Sequence, residues 1–138
     1  MFVLDTNVIS ELFRPQPDPK VMAWVGQLSG DELFTTAITR GELLFGLYCM
    51  PDGRRRNDLL EKLVLLFEQK LAGHVLAYDE AAADAHAKFA AARRAKGRPV
   101  AMPDAMIAGI AHSHEAALAT RNVRDFEGCG VTLIDPWH

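Results

Sequence analysis

Three carboxylates, Asp5, Glu42 and Asp104, stand where an apolar run gives way to a helix or in the first turn of one. Asp5 follows Phe2-Val3-Leu4, Glu42 follows Thr39-Arg40-Gly41, and Asp104 follows Pro103. Each has an ordinary structural role open to it. Asp5 can cap the helix after it, Glu42 can close a capping box with Thr39, and Asp104 can complement a helix dipole. Gathered at one edge they mean something else, because clustered carboxylates repel and raise one another's pKa unless a cation neutralises them. All-oxygen donors without histidine or thiol partners select a hard ion, Mg2+ or Mn2+. A further position, Asn122, lies just beyond Ala117-Leu118-Ala119-Thr120, with Asp125 three residues on. Asn122 can ligate through its carbonyl, bond a water, or hold its own loop as an Asx turn, but it adds no charge. Thr120 is placed to orient a neighbouring carboxylate.

The elements around these residues are what would bring them together. Phe2-Val3-Leu4 reads as a short buried strand, and Val8, Ile9, Leu12 and Phe13 recur at helical spacing after it. Pro15-Gln16-Pro17 breaks the chain, and Asp18-Pro19 opens a second helix with Val21, Met22, Trp24, Val25 and Leu28 on its apolar stripe. Leu33-Phe34-Thr35-Thr36 reads as a second strand. Thr39-Arg40-Gly41-Glu42 is expected to open a third helix, which Pro51-Asp52-Gly53 stops before a longer one begins at Arg54. Val75 to Tyr78 reads as a third strand, and Asp79 caps an alanine-rich helix to about Lys96. A helix from Pro103-Asp104 to about His114 leads into a fourth strand, Ala117-Leu118-Ala119, and Val131 to Ile134 supplies a fifth. Strands alternating with helices, singly or in pairs, predict an α/β sandwich with a mostly parallel central sheet flanked by helices. Helix N-termini in such a sheet gather at the carboxyl edge of the strands, so Asp5, Glu42 and Asp104 can meet there. The helical pair before the third strand carries more apolar surface than one sheet face needs, as a dimer or partner surface would, although ordinary core explains it too.

With 138 residues, the chain is read as one domain able to bury a core without disulfide or metal staples. Its net charge of −3 argues against a surface that grips nucleic acid all over, but not against an enzyme with a local basic rim around an acidic centre. The longest apolar cluster, Leu63 to Phe67, is far too short to cross a bilayer, and Asp5 interrupts any signal peptide. A cytoplasmic protein is expected. Cys49 and Cys129 lack disulfide or metal spacing and are read as free thiols, buried or half-buried.

In order and spacing, these residues resemble the PIN-domain family, and within it the VapC-type toxins of the FitB-like group. The resemblance rests on Leu4-Asp5-Thr6-Asn7-Val8-Ile9-Ser10-Glu11, Ile38-Thr39-Arg40-Gly41-Glu42-Leu43, Pro103-Asp104-x-x-Ile107-Ala108, Ala119-Thr120-Arg121-Asn122 with Asp125-Phe126, and Asp135-Pro136-Trp137. It implies a PIN-like three-layer sandwich. It implies a Mg2+- or Mn2+-dependent endoribonuclease, the toxin of a type II toxin–antitoxin system, inhibited by a VapB-type antitoxin. It also implies a homodimer, and operator DNA bound only through the antitoxin. Asp5, Glu42 and Asp104 match the family's acidic triad, and Asn122 occupies its fourth acidic position, which bears on whether a second metal binds. Asp5 and Asp104 are expected as direct metal ligands, with Glu42 holding a water or acting as general base.

Arg40 and the Arg93-Arg94-x-Lys96-x-Arg98 cluster are the preferred RNA-phosphate contacts, with Arg121 and Arg124 also near the edge and Arg54-Arg55-Arg56 given little weight. His112 and His114, two apart on a helix, do not share a face and are read as surface or core. Trp24 and Trp137 are read as packing. A haloacid-dehalogenase-like phosphatase would need a second Asp where Asn7 stands. The alternative from another class is a non-catalytic PIN-like RNA- or partner-binding module with a weakened metal site, for which Asn122 is the one support.

Overall fold

The computed structural model describes residues 1–138. Strands β1 (Phe2–Leu4), β2 (Leu33–Thr36), β3 (Val75–Leu76), β4 (Ala117–Ala119) and β5 (Leu133–Ile134) form one sheet in the order β3-β2-β1-β4-β5, and every pairing is parallel. Helices α1 (Thr6–Leu12), α2 (Pro19–Gln27), α3 (Ala37–Tyr48), α4 (Arg54–Glu68), α5 (Glu80–Ala95) and α6 (Met102–Ser113) cover it. The expected α/β sandwich is present, with a wholly parallel sheet in place of a mostly parallel one.

Strand alternation sorts the core into two halves. Val3 and Leu118 point to one face, where they meet Phe89 of α5, Ala105, Ile107 and Ala108 of α6, and Phe126. Leu4 and Ala119, their neighbours in sequence, point to the other, against Val8 and Ile9 of α1, Val21 of α2, and Leu63 and Phe67 of α4. A sheet buried on both faces needs continuous apolar strands, which Phe2-Val3-Leu4 and Ala117-Leu118-Ala119 supply. The sheet is therefore the middle of three layers.

Three boundaries differ from expectation. Strand β3 ends at Leu76, and Tyr78 instead packs beside α5, its hydroxyl 2.8 Å from His86 Nδ1. Strand β5 begins at Leu133. Helix α3 begins at Ala37, capped by Thr36, whose Oγ1 accepts the Thr39 amide at 3.1 Å. No helix is long and apolar enough to cross a membrane. Cys129 is a buried free thiol as read, but Cys49 is exposed, because α3 ends there with its side chain facing outward.

Helices α5 and α6 approach closely because α5 is alanine-rich and α6 carries Gly109 at the crossing. A Cβ at Gly109 would collide with the Ala82 carbonyl oxygen and lie 2.9 Å from the His86 amide nitrogen. Backbone atoms do not step aside. Gly109→Ala should therefore cost about 1–3 kcal/mol by overpacking, read as a lower urea midpoint with an unchanged slope.

Candidate active site

The carboxyl ends of β1, β2 and β4 converge, and the chain leaves each of them beside a polar cleft of about 470 Å³. Asp5 ends β1 and caps α1, so the structural and chemical roles open to it coincide. Its Oδ1 accepts the Thr6 amide at 2.8 Å, and its Oδ2 accepts the Thr120 hydroxyl at 2.8 Å. Thr120 Oγ1 in turn accepts the Asn122 amide at 3.0 Å, so the loop after β4 is built around the orientation of Asp5. Only 4% of Asp5 is exposed. Burial pushes its carboxyl above the usual range; the Thr120 and Thr6 hydrogen bonds pull back, while Glu42 and Asp125 repel it further.

Glu42 reaches the same cleft from the second turn of α3, not the first. The capping box with Thr39 does not form, because Thr36 takes the cap. Glu42 Oε1 instead accepts the Thr6 hydroxyl at 2.7 Å, and the Thr6 and Thr39 hydroxyls lie 3.1 Å apart. Asp104 sits in the first turn of α6, half-buried, with no hydrogen-bond or ion-pair partner. Burial, then repulsion by Asp5, Asp125 and Glu42, pushes its carboxyl up to about 6. Asn122 also lines the cleft, and its side chain bonds nothing, so the Asx role is not taken up.

Asp5, Glu42, Asp104 and Asn122 thus share one cleft. No three of its acidic groups stand close enough to ligate one ion together. The donor set nonetheless fits a hard divalent cation: it is all oxygen, its charges repel, and Asp104 is left unpartnered.

Residues not read as part of the site complete the cleft. Thr6 orients Glu42, and Asn7 Oδ1 accepts the Arg121 amide at 3.2 Å, tying the loop after β4 to α1. Glu11, 4% exposed, accepts the Asp18 amide at 3.0 Å and pairs with Arg14 at 3.3 Å. Trp137 forms part of the wall. Thr6, Asn7 and Glu11 stood in the sequence only within the motif that opens on Leu4-Asp5, with no role of their own in the site assigned.

The basic groups are redistributed. Arg40 lies over the Phe67 ring, 4.8 Å from its centroid, and is not among the cleft residues. Arg93 is 9% exposed and donates to the carbonyls of Arg98 at 2.8 Å, Asp125 at 2.9 Å and Glu127 at 3.3 Å, which makes it a structural clamp. Arg98 pairs with Glu127 at 3.5 Å. Arg124 is exposed and outside the cleft; Arg121 lines it. A larger, more apolar groove of about 810 Å³ adjoins it between α1, α3 and α4, shares Thr6 and Glu42, and includes Leu12, Phe13, Leu43 and Leu47.

Residues 2–128 match the PIN domain family model. The chain is 40% identical over 137 residues to the VapC ribonuclease Y4jK of Sinorhizobium fredii, covering 99% of this chain and 98% of that one. It is 36% identical to Toxin FitB of Neisseria gonorrhoeae over 138 residues, covering 100% and 99%. Among solved structures, FitAB bound to an IR36 DNA fragment superposes with a TM-score of 0.94 at 35% identity, covering 100% of this chain and 96% of that one.

Proposed function

The chain belongs to the PIN-domain family and is a ribonuclease toxin of the VapC and FitB kind, with an antitoxin as its partner; from that premise we propose that Asp5, Asp104, Glu42 and Asn122 form its catalytic centre and that the centre holds Mg2+, for which Mn2+ can substitute. The observation that carries this reading is the convergence of Asp5, Glu42 and Asp104 on one cleft, with Asp104 half-buried, unpartnered and pushed up to about 6.

Asp5 and Asp104 are the direct ligands in this proposal, and Glu42, held by the Thr6 hydroxyl, acts at one remove. Asp5 and Asp104 would hold a divalent cation there, which would supply charge to polarise the scissile phosphate and would lower the pKa of a bound water toward neutrality. In this reading Glu42 accepts a proton from the attacking water, which the Thr6 bond supports by occupying one carboxylate oxygen and leaving the other open. Thr120 holds Asp5 in a fixed rotamer through Oδ2. Attack forms a bond from the water oxygen to phosphorus and breaks the bond from phosphorus to the ribose oxygen, which takes up a proton from solvent while Glu42 carries the one lost by the water. Asn122 in place of a fourth acid lowers the charge available to a second cation.

The antitoxin is of the VapB type and, in this proposal, lies in the apolar groove beside the catalytic cleft, where it would cover both. Operator DNA is reached only through it. A homodimer is part of the same proposal, with Phe45 and Tyr48, 71% and 60% exposed on α3, as apolar surface for it. The site of action is cytoplasmic.

The experiment is cleavage of a mixed RNA pool by purified protein free of antitoxin, with Mg2+, with Mn2+ and with EDTA. Metal-dependent cleavage that Asp5→Asn abolishes supports the reading; a folded protein that cuts no RNA, and is not toxic when expressed alone, supports the binding-module alternative. Thr120→Val should lower metal affinity about 10–100-fold, because it removes the donor that orients Asp5. Mn2+ titration of that variant checks it, and an unchanged affinity would show that Asp5 needs no such support.

A further inference from the structure

Two cations line the catalytic cleft, Arg14 and Arg121, and their situations differ. Arg14 is already paired, at 3.3 Å, with the buried Glu11. Arg121 forms no ion pair, although Asp5, Glu42 and Asp104 line the same cleft. Its guanidinium lies over the Trp137 ring instead, 5.1 Å from the centroid. An aromatic face holds a guanidinium in place without neutralising it, as a carboxylate would. The guanidinium makes no hydrogen bond or ion pair within the chain, so its N–H donors are free.

Both members of the pair are anchored from behind. The Arg121 amide bonds Asn7 Oδ1, and the residue before it bonds through Thr120 N to the Ile134 carbonyl at 2.9 Å. Trp137 packs against the core under α1 and α2, and its amide bonds Asp135 Oδ1 at 2.9 Å. The cleft thus presents one uncompensated, pre-positioned guanidinium beside a carboxylate cluster suited to a cation. A nucleic-acid strand entering it carries several phosphates, and a cation held by Asp5 and Asp104 would account for only one of them.

We propose that Arg121 is the phosphate-binding residue of this cleft, taking an RNA phosphate adjacent to the scissile one, and that Trp137 is a positioning residue acting through Arg121. The inference rests on the ribonuclease reading for its substrate. It assigns to Trp137 a role other than packing, and separates Arg121 from the exposed arginines that only solvate the surface.

The test is steady-state cleavage of a single-stranded RNA oligonucleotide over a range of KCl concentrations. Arg121→Ala should raise KM about 10-fold with kcat within about twofold, and should make the fall of log(kcat/KM) with log[KCl] shallower by about 0.7, the loss of one phosphate contact on a single strand. Trp137→Leu should raise KM about threefold in the wild-type background and not at all once Arg121 is alanine, whereas Trp137→Phe should restore most of the loss. Circular dichroism melts check that each variant folds. An Arg121→Ala protein with wild-type KM and salt slope overturns the proposal, as does one that loses kcat alone. A wild type that cuts no RNA with either metal overturns the ribonuclease reading instead. Anisotropy of the labelled oligonucleotide with wild-type and Arg121→Ala protein in EDTA then still judges the phosphate site, because an identical salt slope for both sinks it.

Discussion

Asp5→Asn should abolish RNA cleavage, lowering kcat/KM by about 1,000-fold or more, roughly 4 kcal/mol of transition-state stabilisation. The substitution is nearly isosteric, and the amide oxygen can still accept the Thr6 amide, so the cap on α1 survives. What is lost is a buried negative charge. That charge is costly to the metal-free protein, since burial and repulsion by Glu42 and Asp125 outweigh the help of Thr120 and Thr6. A carboxyl whose folded pKa is raised binds its proton more tightly in the native state, so native stability is lowest above that pKa and recovers as pH falls through it toward 3.8. Asp5→Asn removes the penalty at neutral pH. The variant should melt above metal-free wild type at pH 7.5 while cleaving nothing. A variant that unfolds would assign Asp5 a structural role and defeat this argument; one that folds and still cleaves would remove Asp5 from the chemistry.

Asp104→Asn should be as damaging to catalysis and more informative about the metal. Asp104 has no partner of its own and is pushed up to about 6, against 3.8 for an ordinary Asp, by burial first and by Asp5, Asp125 and Glu42 after it. Metal-free wild type should therefore gain stability relative to Asp104→Asn as pH falls from about 7.5 through 6, with nothing further to gain below 3.8. The half-buried position lets solvent screen the repulsion, so the gain should be on the order of 1–2 kcal/mol. Metal reverses the ranking. Mg2+ at about 100 times its Kd should stabilise wild type by about 2.7 kcal/mol and leave the variant nearly unmoved. Protons compete for the same oxygens, so metal affinity should weaken as pH drops below about 6. Thermal melts at pH 5, 6 and 7.5, with and without Mg2+, check each part. Equal stabilisation of wild type and variant by Mg2+ would place the ion elsewhere.

Much of the fold was legible because it is written in short-range pattern. Phe2-Val3-Leu4 and Ala117-Leu118-Ala119 are continuous apolar runs too short for anything but buried strands, and both are. Asp18-Pro19 and Asp79 mark helix starts that the structure confirms, since a cap needs only its own first turn. The same locality misled the reading of α3. Thr36 and Thr39 are both competent caps, and strand β2 presents Thr36 first, which moves Glu42 into the second turn. Strands β3 and β5 proved shorter than their apolar runs because pairing with a neighbour, not composition, decides where a strand ends.

For the cleft, the sequence by itself determined which acids were available and that parallel topology would carry them to one edge. Only the tertiary structure decided what each of them touches. Glu42 finds Thr6 across 36 residues and Asp5 finds Thr120 across 115, partnerships no local spacing encodes. The arginines show the same division. Arg93 and Arg121 look alike in a sequence, yet one is buried among three carbonyl oxygens and the other rests on Trp137 in the wall of the acidic cleft. A long charged side chain is compatible with surface, clamp or site, and the choice is made by whatever the fold brings within hydrogen-bonding reach of its end.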